Sequence, residues 1–175
     1  MKIINCVFFL AFAACSSQAP KQVPLTPAEH LQYWDTITHY RIDTLPENEE
    51  EASDGGSEIL FYSLNGKLMK IKASVGLSWG NMTSTYYCSG DSLLAFSEMQ
   101  QSFPSNGDSL DFTKLVHNYT GILIFQSDTV SQHSSEGTEM LSRDPEALGE
   151  QILEEFRDLL VEFKSQNSKV KNQTP

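Results

Sequence analysis

The chain has 175 residues, 39% of them hydrophobic, which suits one domain with a moderate core. Its 23 acidic and 12 basic residues leave a formal charge of -11. That balance excludes broad binding to a nucleic-acid backbone, which needs clustered positive charge, and three cysteines are too few for a cystine framework.

The chain opens on Lys2 followed by an apolar run from Cys6 to Ala14. The run fits the apolar region of a signal peptide and is too short to span a bilayer. It ends in Phe12-Ala13-Ala14-Cys15. Small residues before a cysteine suit a signal peptidase with narrow subsites, and the Cys15 thiol would then accept a diacylglycerol. The ending resembles the lipobox of bacterial lipoproteins, with Phe12 in place of the usual aliphatic residue. It implies a leader over 1–14, an anchor and tether over 15–25, one domain over 26–165 and a disordered tail over 166–175. The expected place is the bacterial cell envelope, periplasmic or surface-exposed, with the membrane as a partner through the lipid on Cys15. The alternatives are cleavage near Ala14 or Ala19 to a soluble product, or an uncleaved anchor. With Cys6 removed and Cys15 acylated, Cys88 is the sole free thiol, and in an oxidising compartment it is expected buried in a sheet. Three Asn-x-Thr triplets, at Asn81, Asn118 and Asn172, read as chance matches in a bacterium.

Thr26-Pro27-Ala28-Glu29 starts a helix: Thr26 caps, Pro27 suits the first turn and Glu29 completes a capping box. Leu31, Trp34 and Ile37 follow at helical spacing, predicting a helix over 27–40, although Thr36 to Ile42 is rich in β-formers that would end it early. Residues 43–57 carry Glu47, Glu49, Glu50, Glu51 and Asp54 and read as a solvated loop. They lack the spacing and fixed glycine of a calcium loop. Strands are then predicted over 58–63, 67–75, 82–89, 92–98, 119–126 and 129–134. Asn65-Gly66 is a type I′ hairpin signal, because both residues tolerate positive φ. Residues 110–116 read as a helical turn or an irregular piece. Asp144-Pro145 opens a second helix, whose stripe of Leu148, Ile152, Phe156, Leu159, Leu160 and Phe163 should end near Lys164. Phe61 to Leu68, Tyr86 to Leu93 and, more faintly, Ile124 to Val130 repeat one pattern of aromatic strand, polar turn and return strand. Sequential hairpins pair locally and need no crossover. The expected fold is α+β, an antiparallel meander of five or six strands with N-terminal and C-terminal flanking helices.

Gly76-Leu77-Ser78-Trp79-Gly80 matches the G-x-S-x-G nucleophile elbow, which needs a helix after the serine inside a parallel sheet. The sequel Asn81 to Tyr87 reads as β, and Asp128 with His133 would sit in one tight hairpin away from Ser78. His30, His39, His117 and His133 show no metal-ligand spacing. Glu58 with Glu98, or Glu154 with Glu155, have no reason to pair as acid and base. No cofactor or metal is expected. Tyr33, Trp34 and Tyr40 in the first helix join Phe61, Tyr62, Tyr86, Tyr87, Phe96, Tyr119 and Phe125 on strands. Alternation buries one member of each strand doublet and turns the other outward. If both helices lie on one face, Tyr62 and Tyr87 mark an open face, with Trp79 folded over its edge. Such a surface suits an envelope protein, peptide or glycan.

Ile59-Leu60-Phe61-Tyr62, Asn65 to Ile71, and Tyr86-Tyr87 with Asp91 to Phe96 together resemble small hypothetical lipoproteins of Bacteroidota. Their hairpins carry an aromatic, an Asn/Asp-Gly turn and Lys-Leu. The resemblance spans about 27–165 and implies an α+β envelope domain with no catalytic residues to carry over. The expected role is noncatalytic binding or an accessory function. The alternatives are an enzyme of unrecognised type, with Ser78, His133 or carboxylates converging in a pocket, or a structural envelope component.

Overall fold

The computed structural model describes residues 26–36, 39–45, 55–107, 109–139 and 145–172. Cys15, the expected leader and tether over 1–25 and the acidic stretch 46–54 lie outside the described residues.

The chain enters through α1, Pro27–Asp35. The expected capping box forms: the Thr26 amide donates to Glu29 Oε2 at 2.7 Å, and the Glu29 amide donates to Thr26 Oγ1 at 3.3 Å. The helix is shorter than the predicted 27–40. Beyond the predicted helix, Arg41–Leu45 form β1, pairing with Ile59–Ser63 of β2. Ile42 and Thr44 are β-branched and suit the ladder that β2 offers.

The strands β2 (Ser57–Leu64), β3 (Lys67–Leu77), β4 (Gly80–Ser89) and β5 (Ser92–Ser102) follow as a continuous meander. A two-residue ribbon, β6 (Ser105–Asn106) with β7 (Ser109–Leu110), interrupts it before β8 (Val116–Gln126) and β9 (Thr129–Gly137). Among the described residues the main sheet has seven strands in the order β1-β2-β3-β4-β5-β8-β9, all antiparallel. The meander of consecutive hairpins is as expected; five or six strands is corrected to seven, because β1 was read as loop. Asn65 and Gly66 take φ of 53° and 77°, as a type I′ turn demands.

Helix α2, Pro145–Asn172, closes the chain. One register row across five strands, Phe61, Ile71, Tyr86, Phe96 and Leu123, forms the floor on which it lies. Ile152, Phe156, Leu160 and Phe163 pack there, each no more than 9% exposed. At roughly 1.5–3 kcal/mol per buried side chain, the four contribute several times the ~1 kcal/mol that Gly149 costs. That glycine has a use: a Cβ on it would stand 2.5 Å from Val130 Cγ2, so its absence lets α2 close onto β9. The helix runs past the expected end at Lys164. No proline or glycine stops it, and the Ser168 hydroxyl donates to the Ser165 carbonyl at 2.7 Å.

The opposite face holds a second, smaller core. Tyr87, Ala95, Ile122 and Ile124 are buried there beneath Leu31 and Trp34 of α1. The two helices therefore lie on opposite faces of the sheet.

Candidate binding site

The three residues expected on an open face separate in the fold. Tyr62 and Tyr87 do share a face, because each pairs with Lys70 across a strand. But Tyr87 is only 5% exposed. Trp34 stacks on it at 5.5 Å, and its hydroxyl donates to Asp35 Oδ2 at 3.2 Å. The expected open face at Tyr87 is thus corrected: α1 covers it, since that face carries its own apolar cluster. Burial, reinforced by the Asp35 carboxylate, raises the Tyr87 phenol above its usual range.

Tyr62 is half-buried and meets Tyr40 edge-on at 5.6 Å. Lys70 Nζ lies 4.9 Å from the Tyr62 ring, 5.6 Å from Tyr40 and 5.9 Å from Tyr87, while pairing with Asp35 at 3.1 Å. The cation already sits where an aromatic cage would take a ligand. This cluster fastens the C-terminal end of α1 to the sheet.

Trp79 lies elsewhere, in the two-residue turn between β3 and β4. The glycines beside it are dictated by contact. A Cβ on Gly76 would come within 2.6 Å of the Gly55 carbonyl oxygen, and one on Gly80 would overlap the Gln101 carbonyl. Ser78 is exposed at the tip of an antiparallel hairpin, with no helix after it. Asp128 pairs with Arg157 at 3.3 Å, and His133 lines a different cavity from Ser78. The G-x-S-x-G spacing therefore reflects backbone crowding, and the structure does not assemble a triad around it.

Around this turn the structure forms a groove of about 600 Å³. The connection from β5 to β8 folds beside the β3–β4 turn, held where the Phe103 amide donates to the Trp79 carbonyl at 2.9 Å. A second bond at 2.9 Å, from the Asp111 amide to the Pro104 carbonyl, closes the connection on itself. Phe103 and Phe112 meet edge-on at 5.0 Å and, with Leu77 and Leu115, form apolar walls. Gly55, Gly76 and Gly80 leave backbone as the floor, and Ser74, Ser78 and Asn81 supply neutral hydrogen-bonding groups. Phe112 is 66% exposed and Leu115 42%. A groove of this size, mostly apolar with a few placed polar groups, has the form of a ligand site. Sequence reasoning passed over it because the piece with Pro104 and Asn106-Gly107 reads as a polar link and 110–116 as a helical turn or an irregular piece. The available signal was four large apolar residues close together, Leu110, Phe112, Leu115 and Val116, all of them exposed in the fold.

A smaller cavity of about 110 Å³ lies between the sheet and the start of α2, beside Glu98, Tyr119, His133 and Leu148. It is roughly the volume of three or four waters. Glu98 is 3% exposed and accepts from Gln100 Nε2 at 2.6 Å. Glu58 lies on the opposite face, and Glu155 is held by the Tyr86 hydroxyl at 2.8 Å. Neither carboxylate pair is brought together. Among the described residues no group of three or more His, Cys, Asp or Glu is placed to hold a metal ion, and no helix is long and apolar enough to cross a membrane. The side chain of His30 lies outside the described residues. Compared with family models, with curated proteins and with solved structures, the chain matches none.

Proposed function

We propose that the chain is a lipid-anchored protein of the bacterial cell envelope whose folded body binds, without catalysis, an apolar peptide segment of another envelope protein. The observation that carries this reading is the groove between the β3–β4 turn and the β5–β8 connection. Its walls are aromatic and aliphatic, its polar groups are neutral, and two of its wall residues, Phe112 and Leu115, stand exposed. Burying an exposed Phe or Leu side chain contributes roughly 1.5–3 kcal/mol, so two such anchors supply affinity in a site with no charge to satisfy. Aliphatic walls at Leu77 and Leu115 favour peptide side chains over a sugar face. The leader ending at Cys15 and the resemblance to small Bacteroidota lipoproteins support the envelope placement.

Two measurements test it. The mass of the N-terminal peptide of the native protein should correspond to diacylated Cys15, and Cys15→Ala should release the protein from membranes. In NMR titrations, Leu- and Phe-containing tripeptides should shift the amides of Gly76, Gly80 and Asn81, and Phe112→Asp should abolish the shifts. Shifts produced by neutral oligosaccharides alone would make the ligand a glycan, and no shift with either would remove the groove from consideration.

A further inference from the structure

The two edges of the sheet are guarded very differently. An edge strand presents unpaired backbone donors and acceptors, and natural sheets blunt it with short strands, lysines, prolines or bulges. β1, at one edge, is five residues long and carries the Arg41–Asp43 ion pair at 2.9 Å. β9, at the other, has nine residues, Thr129–Gly137, and no Lys, Arg or Pro. A bulge at its start sets Ser131 out of register, with its hydroxyl donating to the Ile124 carbonyl at 3.1 Å. Beyond the bulge, Gln132 to Gly137 pair regularly with β8, and among the described residues no strand pairs with the outer side of this stretch of roughly 20 Å.

Among the described residues, acidic side chains predominate beside that edge. Glu136 lies exposed on β9, on the face shared with Ile122 and Ile124. Glu150, exposed, sits one residue past Gly149, which closes onto Val130 of β9. The nearby cation Arg157 is engaged by Asp128. A second copy of this chain would bring a further formal charge of -11 against the same edge. We infer that β9 is a strand-addition site for an extended basic peptide segment of another protein. The backbone of the segment would continue the antiparallel ladder, and its lysine or arginine side chains would answer Glu136 on one face of the sheet and Glu150 of α2 on the other. Main-chain pairing supplies affinity in this mode, and the side chains select the partner. The inference stands apart from the groove, which lies at the β3–β4 turn.

The probe is an acetylated, fluorescein-labelled decapeptide in which pairs of lysines alternate with pairs of threonines, so that lysines project from both faces of the strand, titrated by anisotropy against the full mature chain. Binding should be saturable and weaken with salt. It should slow hydrogen exchange at residues 132–137 in particular. Gln132→Lys should weaken binding roughly two- to fivefold and Gln132→Glu should strengthen it by a similar factor, since Gln132 is exposed and either change leaves the fold intact. Phe112→Asp should leave it unchanged. Four results would overturn the inference. These are no binding at millimolar peptide, equal binding of a peptide with glutamine in place of lysine, equal binding of a backbone N-methylated peptide, or protection of β9 that rises with protein concentration alone and so assigns the edge to a second copy.

Discussion

Gly80 and Ser78 belong to one five-residue motif but carry opposite burdens. A Cβ at Gly80 would overlap the Gln101 carbonyl and come within 2.7 Å of Ser102 Cα, both backbone atoms of β5. Gly80→Ala should therefore cost more than ~2 kcal/mol, whereas exposed Ser78→Ala should stay within ~0.5 kcal/mol in urea melts. Cys88 shows a second kind of residue-level control. Burial pushes its thiol up to about 12 from an ordinary 9.0. The folded chain keeps that proton while an unfolded chain begins to lose it near pH 9, so the contribution is full below pH 9 and is lost as pH rises toward 12. Tyr86 and Tyr87, both raised from 10.0 chiefly by burial, act in the same sense above pH 10. The urea midpoint should fall steadily above about pH 9, and Cys88→Ala should move the onset to about pH 10. Much of this scale was legible in the sequence: a lone cysteine in an aromatic strand is readily read as buried. The cause of Gly76 and Gly80 was not, because the atoms that forbid a side chain belong to Gly55 and to β5, distant along the chain.

Hairpins dominate at the level of elements, and their turns differ in quality. The β8–β9 turn places Ser127 at φ 52° and Asp128 at φ 59°, left-handed positions filled without glycine. Its ion pair with Arg157 is exposed on both sides and holds little. Replacing the pair with Asn-Gly should raise stability by about 0.5–1 kcal/mol, visible as a higher thermal midpoint. The faint third copy of the hairpin pattern, Ile124 to Val130, was recognisable because alternation survives even where the turn residues are poor. β1 was not recognisable. Five residues cannot establish a period, and its pairing with β2 is set across the acidic stretch between them. Helix α1 is a different case, since its docking rests on Leu31, Trp34 and the charge contact of Asp35 with Lys70. Trp34→Ala should cost about 1–3 kcal/mol and quench the contribution of α1 while leaving the sheet and α2 folded, as far-UV circular dichroism and exchange protection of β4 would report.

The whole molecule is a sheet with unequal covers. The α2 face holds the larger core, and Phe156, 2% exposed and 6.3 Å from the Tyr86 ring, sits at its centre. Phe156→Ala should cost about 3–5 kcal/mol, a large share of the 5–15 kcal/mol typical of a domain, and unfold the whole chain in one transition. What the sequence by itself determined is local: hairpin order through strand alternation and turn residues, the capping box of α1 and the apolar stripe of α2. Each of those is written within a few neighbouring positions. Only the tertiary structure decided on which faces the two helices lie, and with that the covering of Tyr87. It also decided that Phe103, Phe112 and Leu115 gather against the β3–β4 turn, and that β9 is left at an open edge. Those outcomes depend on which surfaces meet across the sheet, and contacts between residues far apart in the chain leave no period in either partner's sequence.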